Sequence, residues 1–251
     1  MKEYNDLIEK FKIIAKKRWI QSVNNDHGGV GNTFEKEIGK EKDSLYLPDY
    51  EGIELKCTTR FSKFPLYLFT VAFDGPTFPE INRLIELYGY PDKDYNDQKV
   101  LFTKLSLLEK NAVNNSYKFQ LYINKEEEKL YLKVFNMQNL LIEQKSFVYL
   151  MSIYNHLVLK LSKMAVIYAS KQRIDNKDYF RYYKLSIYEL ISFEKFISLL
   201  ESGIIIVDLI ARINKSGEDK GRHRNKNLVF SIKKDDLDVL FKKIYELNYD
   251  N

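Results

Sequence analysis

A chain of 251 residues suits one large domain or one domain split into two lobes, and 45% hydrophobic with 14% aromatic content lets it bury a core rather than remain disordered. Lys and Arg number 40 against 35 Asp and Glu, a net charge of +5 that does not by itself indicate nucleic acid, so the distribution of charge matters more than its sum. A single cysteine, Cys57, excludes an internal disulfide framework, the charged N-terminus lacks a signal peptide's apolar run, and no apolar stretch approaches the roughly 20 residues of a membrane span; the expected location is the cytoplasm, with no membrane partner.

Leu7, Ile8, Phe11, Ile14, Ala15 and Trp19 recur at helical spacing and predict an amphipathic first helix. A polar, glycine-rich stretch over 24–32 leads into a short helix over 33–39, with Gly39 as its stop. Residues 49–59 and 66–73 read as neighbouring strands, 79–89 as a helix, 90–99 as a polar loop and 101–107 as a strand. Residues 118–123 and 129–135 alternate across the charged tip 124–128 as a hairpin does. A helix over 147–162, a buried strand over 164–169 and a helix over 193–201 follow. Strands over 204–213 and 228–232 flank a basic loop, and a last helix covers 235–247. No repeat or low-complexity linker intervenes, so the order predicts an α/β (α+β) chain with a mixed central sheet flanked by helices.

Chemistry concentrates in Asp49-Tyr50-Glu51-Gly52-Ile53-Glu54-Leu55-Lys56. Alternate strand residues share a face, so Glu54 and Lys56 project together while Ile53, Leu55 and Cys57 point into the core. A bend at Gly52 brings the Asp49 carboxylate towards Glu54, making an oxygen-rich place for one or two Mg²⁺ ions, with the lysine adding positive charge where negative charge develops on a phosphodiester. Other E-x-K triplets occur at Glu127/Lys129, Glu143/Lys145 and Glu218/Lys220, and the residues alone leave a solvated strand face as an equal reading. Upstream, Asn32 and Glu35 have the spacing of a capping box, the favoured reading of Glu35 in isolation. The glycines of 28–31 fit a plain loop, or one whose amides approach a phosphate.

Gly29-Val30-Gly31-Asn32-Thr33-Phe34-Glu35, followed by Pro48-Asp49 and Gly52-Ile53-Glu54-Leu55-Lys56, resembles in order and spacing the MvaI/BcnI family of type II restriction endonucleases, relatives of the nicking enzyme MutH. The resemblance extends through 117–136, 163–169 and 203–232, although only the N-terminal block is specific. It implies a restriction-endonuclease-like PD-(D/E)xK core, bilobal with a DNA-binding cleft, in a single nuclease over 1–251. Its catalytic site would lie at about 28–73 and its recognition elements mainly at about 204–234. It further implies a monomeric, Mg²⁺-dependent type II site-specific deoxyribonuclease that cleaves double-stranded DNA to 5′-phosphate ends, beside a companion methyltransferase. By position, Asp49 and Glu54 would bind metal, Lys56 would help to activate water, and Glu35 would be the additional helical acid of the MutH-like site.

Between 212 and 234 stand eight basic residues and, before Asp235, only two acids. A solvated charged loop is the plain reading. The resemblance makes it the place of base-reading residues, so Arg212, Lys215, Lys220, Arg222, His223, Arg224 and Lys226 are the expected DNA contacts. The run Gly221-Arg222-His223-Arg224 departs from the family's His-Asp-His-Gly-like pattern, so no target sequence carries over. His27 reads as a surface loop residue, His156 as structural and Cys57 as a small buried hydrophobe. A MutH-like strand nickase and a catalytically silent DNA-binding module are the alternatives.

Overall fold

A computed structural model describes residues 4–24, 28–40 and 48–249; His27 lies outside them. In chain order come helix α1 (Asn5–Lys16), strand β1 (Ile20–Gln21), helix α2 (Gly29–Glu37), strands β2 (Glu54–Thr59) and β3 (Leu66–Val71), and helix α3 (Glu80–Tyr88). Strands β4 (Tyr90–Pro91), β5 (Lys99–Leu105), β6 (Asn111–Val113), β7 (Tyr117–Asn124), β8 (Lys129–Asn136), β9 (Leu141–Glu143) and β10 (Phe147–Tyr149) follow, then helix α4 (Leu150–Leu161). The remainder is β11 (Lys163–Ile174), β12 (Lys177–Leu190), α5 (Phe193–Glu201), β13 (Ile205–Ile213), β14 (His223–Ile232), α6 (Leu237–Leu240) and β15 (Phe241–Asn248). Among the described residues no helix is long and apolar enough to cross a membrane.

Two compact units share the chain: one draws on residues up to Leu66, Val158–Ile191 and those from Leu237, the other on Tyr67–Leu157 and Ser192–Asp236. In the first unit the sheet order is β1-β12-β11-β2, with β15 also on β12. The β2–β11 pairing is parallel and the others are antiparallel, which makes the sheet mixed as expected. Helix α1 buries Leu7, Ile8, Phe11 and Ile14, and these join Phe34 and Ile38 beside Leu55, Ala165, Ile167 and Leu185 of the sheet. Alternation then puts Glu54 and Lys56, with their register partners Met164 and Val166, on the sheet's other face.

Several expectations need correction. Helix α2 begins at Gly29 behind Gly28, so Asn32 lies inside it and is not its cap. A Cβ on Gly29 would stand 2.7 Å from both the Asn24 carbonyl and the Ser22 hydroxyl, so a close approach explains this glycine. Residues 147–149 form a strand paired with β8, and the helix starts only at Leu150. Strand β12 had no counterpart in the sequence reading; it returns from β11 through Asp175 and Asn176, both at positive φ as a two-residue hairpin turn requires. The expected last helix is one short helix followed by β15, because pairing with β12 from Lys184 to Leu190 overrides the helical spacing of 241–247.

The second unit holds two sheets, β10-β8-β7-β6 with β9 on β8, and β3-β14-β13-β5-β4. Phe69 of β3 stacks on Phe230 of β14 at 4.9 Å between ring centroids and meets Phe196 of α5 at 5.8 Å. These contacts tie β3 to β14 and α5; β13 pairs with β14, with its odd-numbered residues in the core and Ile206, Asp208, Ile210 and Arg212 on the more open side.

Candidate active site

Among the described residues strand β2 is the edge of the first unit's sheet, with β11 on one side of its backbone and no partner strand on the other. Its open side is closed locally. Tyr50 and Ile53 bond to each other in both directions, at 3.0 and 2.8 Å, around Glu51 and Gly52, whose φ angles are +46° and +80°. This two-residue turn with two positive φ values is why a glycine stands at position 52. It folds the chain back so that Asp49 Oδ2 accepts the Leu55 N–H at 3.1 Å. The turn is held onto α1 by the Tyr50 hydroxyl, which accepts from Lys10 Nζ at 2.6 Å and donates to Asp6.

Asp49 is also gripped from α2. Gly39, at φ +81°, ends that helix: its N–H bonds Lys36 O and the Lys40 N–H bonds Glu35 O, the two bonds of a Schellman motif. The motif sets the direction in which Lys40 leaves the helix, and its ammonium lies 2.5 Å from Asp49 Oδ1. Nothing in the spacing of Lys40 marked it beforehand; only the helix stop at Gly39 pointed to its direction.

Glu54 is only 2% exposed. Its Oε1 accepts from Lys56 Nζ at 2.7 Å and has Lys160, from the last turn of α4, at 3.7 Å. Its Oε2 is buried with no hydrogen-bond partner. An ionised carboxylate with one unsatisfied oxygen in so dry a place is costly unless a cation completes it. Lys160 is a second residue that the sequence reading missed, since it approaches from another element with no motif around it.

Glu35 lies along α2 with its Oε1 3.8 Å from where a Cβ on Gly31 would stand. Its charge reaches Cys57: burial pushes the Cys57 thiol well above its ordinary range, and the charges of Glu35 and Asp49 push it further. Cys57 itself packs partly buried against the core shared with α1 and α2.

No group of three or more His, Cys, Asp or Glu gathers at metal-holding distance among the described residues. Two carboxylates are nonetheless an adequate protein share for Mg²⁺, which keeps several waters and takes the rest of its shell from substrate phosphate. The unpartnered buried Oε2 of Glu54 is the observation that this donor set fits.

The second expected site lies in the other unit, and most of it is strand. β14 begins at His223, so His223, Arg224 and Lys226 are ladder residues and Arg224 stands directly opposite Arg212 of β13. The Arg212 guanidinium lies over Phe102 at 3.8 Å, and the Lys226 ammonium over Tyr67 at 4.7 Å. Burial, then Arg224 and Arg212, push the Lys226 pKa down. In the connecting loop, Arg222 pairs with Asp219 at 2.9 Å and Lys220 is exposed, while Lys215 is bound by Asp92 and by Asp94 at 3.0 Å.

Three buried polar atoms without a hydrogen-bond partner fall on this same sheet: Tyr67 Oη on β3, Asp208 Oδ1 on β13 and Asn225 Oδ1 on β14. Burial pushes the Tyr67 hydroxyl to about 12, with Arg224 opposing and Asp208 adding to the shift, and burial likewise raises Asp208 against Lys104 and Arg212. The sequence reading passed over Tyr67 and Asp208. A lone acid in the middle of the apolar run 204–211 was the available signal. His156 is structural as expected, its Nδ1 2.8 Å from Ser152 O.

A mixed sheet whose edge strand carries a buried carboxylate and a lysine two residues on, with a second carboxylate returned to that strand, is the framework of a metal-assisted nuclease. The profile of the MvaI/BcnI restriction endonuclease family matches residues 8–241, and the chain belongs to that family. Among solved structures it is similar to restriction endonuclease MvaI in complex with its cognate DNA substrate, with 28% identity and a TM-score of 0.88 over 98% of this chain and 100% of that one. It is also similar to MvaI in the absence of DNA, with 27% identity and a TM-score of 0.60 over 98% of each chain. No curated protein matches the sequence.

If Lys40 occupies Asp49 in competition with metal, K40M should bind Mn²⁺ severalfold more tightly than the wild type in a calorimetric titration. Equal affinity would show that the ammonium does not compete for that carboxylate.

Proposed function

We propose that this protein is a type II restriction endonuclease that hydrolyses double-stranded DNA at a specific sequence with Mg²⁺, the first unit cutting and the second reading. The observation that carries the reading is Glu54, buried with one oxygen on Lys56 and the other unpartnered, in a chain of the MvaI/BcnI family. Bound Mg²⁺ supplies a Lewis acid for the phosphoryl oxygens and a readily ionised water.

The protein's own groups have distinct tasks. Asp49, pinned at the strand edge by Leu55 N–H, and Glu54 hold the ion. Lys56 places its ammonium beside the attacked phosphorus, where it orients the incoming water and offsets charge gathering on the phosphoryl oxygens. Glu35, from α2, is the additional acid that takes up the water's proton. Water adds its oxygen to phosphorus as the bond to the 3′ oxygen breaks, and the leaving 3′ oxygen takes a proton from solvent water, giving a 5′-phosphate and a 3′-hydroxyl.

Reading falls to the open side of β13 and β14 and the loop between them. Lys220, Arg222 and His223 meet phosphates, which makes affinity fall with salt. Arg212 and Arg224 offer forks for a guanine edge, and Lys226 joins them. Asp208 offers an acceptor for a cytosine or adenine amino group. Three buried polar atoms awaiting partners suit a face built for base edges, since an unmet group there penalises every wrong base. Lys215, committed to Asp92 and Asp94, braces the loop beside this surface. The protein acts as a monomer in the cytoplasm beside a methyltransferase of matching specificity.

Incubation with Mg²⁺ and unmethylated plasmid should give discrete double-strand fragments whose sequenced ends share one site. Nicked circles that never linearise would favour the MutH-like alternative, and binding without any scission the silent module. Asp208→Ala should lose about 1–3 kcal/mol of discrimination at one base pair of that site in competition cleavage; an unchanged preference at every position would remove Asp208 from the reading surface.

A further inference from the structure

The strand that carries Glu54 and Lys56 runs directly into Thr59-Arg60-Phe61-Ser62-Lys63-Phe64-Pro65, and two of these residues are anomalous for a folded surface. Phe61 is 89% and Phe64 80% exposed. Single exposed apolar residues are ordinary; two phenylalanines three residues apart, both almost wholly in water, are a patch.

The segment is braced where it leaves the sheet. The Arg60 N–H donates to Ala169 O on β11 at 2.9 Å, and the Ser62 N–H to Thr59 O at 3.1 Å, forming a turn. The Arg60 guanidinium lies over the Tyr183 ring at 5.5 Å, and Pro65 restricts Phe64 to extended backbone. Rings displayed from so fixed a stem lose little freedom on meeting a partner.

Charge says which partner. The stretch holds two cations and no acid, with Lys63 exposed between the two rings. Phe61 follows Lys56 by five residues, so at about 3.3 Å per residue it lies within roughly 16 Å of that lysine. Grooves of about 6 and 12 Å flank any phosphate of a duplex. A polyanion offering apolar sugar and base surfaces between its phosphates matches a basic loop tipped with two aromatic rings.

We propose that the Phe61–Phe64 loop is a DNA-docking element of the cutting unit, with Lys63 on a phosphate and both rings in the groove beside the scissile bond, packed on sugar and base-step surfaces. The assignment rests on the reading of the protein as a DNA endonuclease. It makes this loop a grip independent of the base-reading surface of β13 and β14, one that holds the duplex against Glu54 and Lys56.

The test compares the wild type with F61A/F64A on a short duplex bearing the sequence recovered from the enzyme's own digestion products, with Ca²⁺ replacing Mg²⁺ to hold the complex uncut. Both substituted side chains are solvent-exposed, so the melting temperature should not change. In Ca²⁺ the double variant should bind about tenfold more weakly; in separate cleavage assays with Mg²⁺ it should raise KM and keep kcat at saturating DNA. Phe64→Trp in a Trp19→Phe background, which leaves a single indole, should lose fluorescence on adding the duplex as the ring packs against bases. Unchanged affinity together with an unquenched indole would overturn the assignment. So would a wild-type dimer in sedimentation that F61A/F64A dissociates, or binding of the wild type, but not F61A/F64A, to anionic phosphatidylserine vesicles in place of DNA. Failure of the wild type to bind or cut DNA at all would instead overturn the endonuclease reading on which the assignment rests.

Discussion

The proposed cutting chemistry of the first unit turns on one carboxylate placed where water barely reaches. Glu54 is buried on the face of the sheet away from α1 and α2, with Lys56 on one oxygen and nothing on the other. Such a group destabilises the fold to some degree by itself, because its desolvation is only partly offset by two ammonium groups. The surrounding architecture tolerates it by making the rest of that strand secure. Leu55 packs into the core on the opposite face, β11 pairs with it in parallel from Met164 to Ala169, and Asp49 meets the otherwise open Leu55 N–H. The arrangement leaves one buried carboxylate oxygen unmatched, a place that a cation would complete.

The proposed recognition surface of the other unit follows the same logic with different chemistry. There the unmet groups are a tyrosine hydroxyl, an aspartate oxygen and an asparagine carbonyl, set among Arg212, Arg224 and Lys226 on adjoining strands. Strands hold such groups more exactly than a free loop does, which matters because discrimination between bases depends on the cost of leaving a buried polar atom unmatched.

What the sequence discloses follows from how local each feature is. Asp49, Glu54 and Lys56 were legible because the strand's period of two and the glycine turn at 51–52 act within eight residues of one another. The hairpin of β7 and β8 and the helix stop at Gly39 were legible for the same reason. Lys40 and Lys160 were not, since each reaches the site from a separate helix and carries no signal of its own. The short span 147–149 and the segment 241–248 were misjudged because their state is decided by distant partners, β8 and β12, rather than by their own spacing. Residues 223–227 of the basic stretch read as loop but belong to β14. Their strand character depends on pairing Arg224 with Arg212 across a bulge at Ile210 and Ala211, which no periodicity announces.

In the proposed mechanism Asp49 and Glu54 together form a divalent-cation site that Lys56 accompanies but does not create. Titrating the protein with Mn²⁺ and following the free ion by electron paramagnetic resonance tests this directly. The wild type should bind Mn²⁺ saturably, Asp49→Asn and Glu54→Gln should lose that binding, and Lys56→Met should retain it. Equal Mn²⁺ binding by the wild type and both carboxylate variants would contradict the two-carboxylate site.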